Sequence, residues 1–406
     1  MPRSGGWQSG HVERWNGIDD VPAGFGPSAV TIGNFDGVHR GHQAVLTRLV
    51  EHARERDARA VAITFQPHPI AVLFPERAPT LLDTMECKLQ LLADTGLDAV
   101  LVMEFTRELA SWSPERFVRD VIVDVLGARE VVVGRDTRFG HRNSGDVNTL
   151  RTLGARYGFG VELLEDLGVV DSGHPTGRRW SSTWVRALVA SGDVREAAVV
   201  LGRPPRVTGA VVHGDHRGRQ LGFPTANLSP SSIGVVPADG VYAGWLLRLV
   251  DGGAEEARLP AAISIGTNPT FDGHGRRVEA HVLDRDDLEL YGETVAVEFI
   301  DRLRPTLRFT DVDALVRRMK ADVEQCRQVF AEQAASSGAT DRSRRRRAAC
   351  LGEERQRPDR RVRTGGAGTG GAGTGGAGPD ADSLPEQGRW YGSRCRRNGR
   401  GPREPG

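Results

Sequence analysis

Between Ala29 and Ala53 the chain changes from a strand pattern to a helix pattern across one short loop, and no other feature limits the fold as tightly. Ala29-Val30-Thr31-Ile32 is apolar and β-branched, as a buried strand requires, while Val45, Leu46, Leu49, Val50 and Ala53 recur at helical spacing. The loop Gly33-Asn34-Phe35-Asp36-Gly37-Val38-His39-Arg40-Gly41-His42 holds three glycines and two histidines. Glycine lets a backbone approach a ligand closely, and the first turn of a helix offers unpaired N–H groups and a positive dipole end to an anion. His39 and His42 lie three apart, so a helical first turn sets both imidazoles on one face, where both can donate to phosphate oxygens. A strand–loop–helix unit carrying a nucleoside triphosphate is the expectation. A zinc pair is disfavoured because no cysteine or third histidine sits at ligand spacing.

The alternation continues to about residue 165. Ala60 to Phe65, Ala99 to Met103 and Glu130 to Val133 read as short apolar strands, and Cys87 to Ala93 and Pro114 to Leu126 as helices. Ser113 caps the second helix and Pro114 suits its first position. Alternating strands and helices predict an α/β fold, a Rossmann-like parallel sheet covered on both faces, with its ligand at the carboxyl ends of the strands. After Arg203-Pro204-Pro205 the texture changes. Arg206 to His213, Val241 to Val250, Ala261 to Ile265, Arg277 to Leu283 and Thr294 to Ile300 are β-rich pieces separated by turn residues, which predicts a small antiparallel β-barrel. Residues 311 to 335 return to helical spacing and should pack on that barrel. Residues 12–190 and 206–335 are therefore expected to form two domains, joined by a linker at 191–205.

Composition narrows the setting. The four cysteines, Cys87, Cys326, Cys350 and Cys395, are widely spaced, which argues against a disulfide framework and suits a reducing cytoplasm. No apolar run approaches the roughly 18 residues of a membrane span, and the N-terminus lacks the apolar core of a signal peptide. Of the 406 residues, 336–406 carry 16 Arg and 8 Asp or Glu, leaving 38 basic against 45 acidic side chains before them. The tail includes Arg344 to Arg347 and three Thr-Gly-Gly-Ala-Gly repeats, and only Leu351, Val362 and Leu384 in it are Leu, Ile, Val or Phe. So few large apolar side chains cannot offset ordering entropy, and disorder is expected from 336 onward. A basic tail raises the alternative of an RNA-binding protein. The acidic remainder argues against it, and neither specific nucleic acid nor membrane is expected as a partner. Lys88 and Lys320 are the only lysines, so no G-x-x-x-x-G-K-[ST] loop exists and phosphate chemistry must rest on arginine, histidine, backbone N–H groups and a metal.

The G-x-F-D-x-x-H-x-G-H pattern resembles the H-x-G-H nucleotidyltransferases, in particular the adenylyltransferase half of the bacterial bifunctional riboflavin kinase/FMN adenylyltransferase (FAD synthetase) family. Three further segments fall in family order. Thr64-Phe65-Gln66-Pro67-His68-Pro69 resembles T-F-x-P-H-P, Val133-Gly134-Arg135-Asp136-Thr137-Arg138-Phe139-Gly140 resembles V-G-x-[DN]-[FW]-x-F-G, and Ser181-Ser182-Thr183-Trp184-Val185-Arg186 resembles S-S-T-x-[IV]-R. The resemblance assigns Gly33, Asn34, Phe35, Asp36, Gly37, His39, His42, Asp136, Ser182, Thr183 and Arg186 to the nucleotide, and His68 and Phe139 to the flavin. Thr137 stands where the family carries an aromatic residue, which implies weaker ligand binding and leaves open an enzyme whose adenylyltransferase half is impaired.

Gly214 to Asn227, reading G-D-H-R-G-R-Q-L-G-F-P-T-A-N, resembles the riboflavin kinase pattern G-x-x-x-G-R-x-x-G-F-P-T-A-N. Gly214, Gly218, Arg219 and Gly222 are its expected nucleotide contacts, with Thr225 and Asn227 as oxygen ligands of Mg²⁺. Glu279 aligns with the family's catalytic base. On a strand, Glu279 and His281 share one face and Val278 and Ala280 the other. The resemblance covers roughly residues 12 to 330. It implies a bifunctional enzyme that uses ATP and Mg²⁺ to convert riboflavin to FMN and then FMN to FAD, with His39 and His42 assisting the second step.

Overall fold

In this computed structural model the described residues are 12–164, 179–214, 218, 221–250, 253, 255–267 and 276–335, together with the helical backbone that continues to 354. The first domain is built on six strands, β1 (Glu13–Trp15), β2 (Ser28–Ile32), β3 (Arg59–Gln66), β4 (Ala99–Glu104), β5 (Ala128–Gly134) and β6 (Gly160–Leu164). They pair in the order β1-β4-β3-β2-β5-β6, every pair parallel. Parallel strands need crossovers, and helices on the two faces cover them. One face receives α1 (Arg40–Glu55) through Leu46, Leu49 and Ala53. The other receives Phe117, Val121, Ile122, Leu150 and Leu153. Strand order reverses between β3 and β5, so β2 sits at the switch point where ligands of such sheets bind. The chain leaves β2 directly into the glycine loop.

Two segments differ from their expected form. Pro114 to Leu126 is not one α-helix: a single α turn, Pro114–Phe117, passes into a π-helical stretch, Val118–Val125, whose end is marked by the Leu126 N–H donating to Val121 O at 3.0 Å. Side-chain spacing over so few turns does not separate the two windings. The expected linker holds a helix, Val194–Leu201, capped by Asp193 and burying Val194, Ala197, Val200 and Leu201. It packs beside Ser182–Ser191, the helix of the S-S-T-x-[IV]-R segment, and both enclose Leu82.

The second domain is a closed barrel of six strands, β7 (Arg206–Val212), β8 (Ala226–Leu228), β9 (Gly240–Leu249), β10 (Glu255–Thr267), β11 (Arg276–Val282) and β12 (Thr294–Arg304), in the order β10-β11-β8-β7-β12-β9. Closure gives each strand a neighbour on both sides. The C-terminal helix, Val312–Glu354, sets Cys326 against Ala243 and Leu283, and Asp322 pairs with Arg304 at 2.6 Å. It runs beyond 335, where composition had suggested disorder. Arginine, alanine and glutamate are good helix formers, so local propensity favours continuing the helix there. Residues 355–406, the rest of the expected disordered tail, lie outside the described residues. No helix among the described residues is long and apolar enough to cross a membrane.

Candidate functional site

At the carboxyl end of the parallel sheet lies a cleft of about 1130 Å³, and the four motif segments of the first domain meet in its wall. Gly33, Asn34, Phe35, Asp36, His39 and His42 come from the loop after β2, His68 from the end of β3, Asp136 and Phe139 from the end of β5, and Ser182, Thr183 and Arg186 from the late helix. His39 caps α1: its Nδ1 accepts from the His42 N–H at 3.4 Å, and the two rings stack with centroids 3.7 Å apart. Because Nδ1 accepts, the His39 proton sits on Nε2. Burial pushes His39 down to about 4 and His42 well below its ordinary value, so both imidazoles are neutral at physiological pH. His42 Nδ1 is buried without a hydrogen-bond partner in the protein.

Several assigned residues serve the loop itself. Asp36 is buried, its carboxylate accepts from the Leu82 N–H at 3.0 Å and pairs with Arg186, and burial raises its pKa. Arg186 also donates from Nε to Thr80 O at 2.7 Å, so its guanidinium is anchored within the wall of the cleft. Ser182 Oγ donates to Asp36 O at 2.8 Å. Phe35 is buried and faces the His42 ring edge-on, and Phe139 packs on Phe117; only part of each reaches the cleft. A Cβ on Gly33 would stand 2.9 Å from Phe35 Cζ, so this glycine makes room for a neighbouring ring as well as for a ligand. Gly37 does not line the cleft. It turns the chain with φ +80° and lies against Leu82. His68 caps the short helix Pro69–Leu73, with Nδ1 accepting from Ile70 N–H at 3.2 Å. Asp136 is exposed and paired with Arg179.

Sequence reasoning missed three residues beneath this loop. Lys88 is buried, and its Nζ donates to Thr64 Oγ1 at 3.1 Å and to Asn34 O at 3.3 Å, joining the first two motifs. Burial lowers its pKa to about 8. Arg203 donates to Gly37 O at 2.8 Å and to the Asp83 carboxylate at 2.6 Å. Gln43 donates to Val38 O and to Leu201 O. Only the rarity of lysine in this chain offered a signal, and it pointed to no partner.

The barrel carries a second cleft of about 340 Å³. Gly214, Gly218, Thr225, Asn227 and Glu279 line it. Strand register sets Asn227 of β8 opposite Glu279 of β11, and Glu279 opposite Ser264 of β10. Residues directly opposite share a face, which is why two residues 52 positions apart in sequence come together. Asn227 Nδ2 donates to Thr225 Oγ1 at 3.3 Å, so the two side chains stand side by side in the wall of the cleft. A Cβ on Gly214 would come within 2.5 Å of the Asn227 amide, so glycine is needed there for the strand-end contact. Gly222 does not line the cleft; with φ +82° it forms the turn before Phe223. Arg219 lies outside the described residues. No cluster of three or more His, Cys, Asp or Glu that could bind a metal occurs among the described residues.

Comparison with known proteins matches a family to each half of the chain. Residues 23–174 match the FAD synthetase family and residues 201–330 the riboflavin kinase family. The bifunctional riboflavin kinase/FMN adenylyltransferase of Escherichia coli strain K12 is 38% identical over 301 residues, covering 74% of this chain and 92% of that protein. Its counterpart in Listeria monocytogenes is 34% identical over 323 residues, covering 79% and 96%. A crystal structure described as a macrolide-efflux protein from Streptococcus pneumoniae superposes with a TM-score of 0.66 at 29% identity, over 78% of this chain and 98% of that one.

Proposed function

The chain belongs to the bifunctional riboflavin kinase/FMN adenylyltransferase family, and we propose that its two clefts divide the two reactions, the barrel phosphorylating riboflavin and the parallel-sheet domain adenylylating the FMN that results. Enzymes of this family act on ATP, riboflavin and FMN in flavin cofactor biosynthesis. Such ATP-using enzymes generally need a divalent metal. The observation that carries the division of labour is the register of Glu279 against Asn227 beside Thr225, far in sequence from the His39–His42 cleft.

In the barrel, the primary ribityl hydroxyl of riboflavin attacks the γ-phosphorus of ATP and must lose its proton as the new O–P bond forms and ADP leaves. Glu279 is the base that takes this proton. Mg²⁺ fits the hard Thr225 and Asn227 oxygens, and when bound it would neutralise charge on the β- and γ-phosphates. In the first domain the FMN phosphate is itself the nucleophile: its oxygen bonds to the α-phosphorus of a second ATP, and pyrophosphate departs. No covalent enzyme intermediate is required. His39, fixed as the Nε2–H tautomer, and His42 donate to the triphosphate, while Asp136, Ser182 and Thr183 position it and His68 and Phe139 bound the flavin side. Asp36 and Arg186 hold the loop in shape. The domain limits 12–190 and 206–335 and a cytoplasmic setting complete the reading.

Two variants in the full chain test it. Glu279→Gln should abolish FMN formation from riboflavin and still make FAD when FMN is supplied. His39→Ala with His42→Ala should accumulate FMN and make no FAD. Loss of both activities in either folded variant would show that the chemistry is not divided in this way.

A further inference from the structure

His281 lies outside the wall of the barrel cleft, yet it is bonded to the segment that forms that wall. Its Nδ1 is 2.8 Å from Pro224 O, and its ring meets Phe223 edge-on with centroids 5.3 Å apart. A carbonyl oxygen only accepts, so Nδ1 must carry the proton, and the bond fixes both tautomer and ring orientation. Pro224 O belongs to the peptide that leads into Thr225. Two positions before His281 on the same strand face stands Glu279, opposite Asn227. One strand, β11, thus carries the base and also restrains the backbone from which Thr225 Oγ1 projects beside Asn227.

We propose that His281 is a positioning residue of the kinase reaction, acting on the nucleotide–metal side of the cleft and not on riboflavin. Phe223 and Pro224 are held between the β11 face and the turn at Gly222, so losing the Nδ1–H leaves the Pro224 carbonyl without its side-chain donor and lets the Thr225 oxygen drift relative to Asn227. Proline cannot compensate, because it has no N–H of its own to tether the turn. Comparable outer-shell hydrogen bonds around metal ligands are worth roughly 10- to 100-fold in metal affinity or activity.

The proposal rests on assigning the kinase reaction to this cleft, and the experiment separates the two. In the full chain, His281→Ala, His281→Asn and His281→Gln are compared by riboflavin phosphorylation, with ATP, Mg²⁺ and riboflavin varied in turn. Asparagine places an amide N–H close to where Nδ1–H stood, whereas the glutamine amide lies one carbon further out. His281→Ala and His281→Gln should raise the KM for ATP·Mg²⁺ about tenfold or more, with the KM for riboflavin within twofold and FAD formation from FMN unchanged. His281→Asn should recover most of the loss. Equal behaviour of the Ala and Asn variants, an unchanged KM for ATP·Mg²⁺, or an equal rise in the KM for riboflavin would each overturn the positioning role. Loss of FAD formation as well would mean general misfolding and would likewise overturn it. Glu279→Gln, run alongside, tests the assignment itself: if it phosphorylates riboflavin normally, the cleft is not the kinase site and the underlying reading fails independently of His281.

Discussion

Arg203, just past the last helix before the barrel, donates from Nη1 to the backbone oxygen of Gly37 at 2.8 Å, within the loop that carries His39 and His42. The same guanidinium pairs with the buried Asp83 carboxylate at 2.6 Å. The adenylyltransferase loop is therefore held by a residue that lies 166 positions later in the chain. Arg203→Met leaves the Asp83 carboxylate buried without this partner and frees the Gly37 carbonyl. A charge-assisted hydrogen bond contributes about 1.5–3 kcal/mol, so FAD formation should fall by roughly 10- to 100-fold. Riboflavin phosphorylation should stay within about twofold. Equal losses in both reactions would show that Arg203 supports the whole fold and not this loop.

Gly33→Ala places a methyl group 2.9 Å from the ring of Phe35, a buried residue whose own φ is +48°. The ring has nowhere to go without disturbing His42, which it meets edge-on. Overpacking of this kind costs about 1–3 kcal/mol. Urea unfolding should show that loss, and Phe35→Leu in the Gly33→Ala background should restore part of it. If the double variant were no more stable than the single one, the clash would not be the cause.

Acid should weaken the first domain through His39. Burial holds its folded-state pKa at about 4, below the 6.5 of an unperturbed imidazole. Between those values the unfolded chain takes up a proton that the folded chain does not, so the stability contributed by neutral His39 is complete above pH 6.5 and is lost as pH falls through 4. The shift corresponds to about 3 kcal/mol. His39→Asn keeps a good helix cap and removes the titrating ring. Its stability should therefore decline less between pH 6.5 and 4.5 than that of the parent. Parallel declines would show that the slope arises elsewhere.

Thr137 lines the first cleft and is partly exposed. An aromatic ring there adds about 0.5–1.5 kcal/mol of stacking beyond its area. Thr137→Phe should lower the KM of adenylylation for FMN or ATP several-fold and leave riboflavin phosphorylation unchanged. If neither constant moved, position 137 would not face a ligand.

Ending the chain after residue 335 keeps Cys326 under the barrel and the Arg304–Asp322 pair. Both activities should remain within about twofold of the full chain. A drop in either, at unchanged melting temperature, would assign a role to the residues beyond.

Local chemistry was legible in the sequence and distant chemistry was not. The β2–loop–α1 unit could be read because strand, glycines and histidines are contiguous, and the barrel because its strands are short, apolar and separated by turns. The cleft of the first domain was legible as four motifs, but not the way they are tied together. Lys88 meets Thr64 and Asn34 only after the helix Met85–Ala93 has packed beneath the loop, and no periodicity reports such a contact. Asp36 carried a residue type that suits a nucleotide site. Its burial and its pairing with Arg186, 150 positions later, were not legible there. The helix at Val194–Leu201 was hidden by its brevity, and the π-helical winding at Val118–Val125 by a side-chain pattern that an α-helix would share.

The bonds from Ser182 and Arg186 to Asp36, and from Arg203 to Gly37, also set an order of events during synthesis. A nascent chain that has emerged only as far as Leu164 already contains all six strands of the sheet, with both histidines, yet none of the three side chains that lock the loop. Because translation proceeds from the N-terminus, the adenylyltransferase loop gains its last tether only as the first barrel strand is about to follow. The loop that carries His39 and His42 thus depends for its full set of tethers on residues that enter the chain last before the barrel.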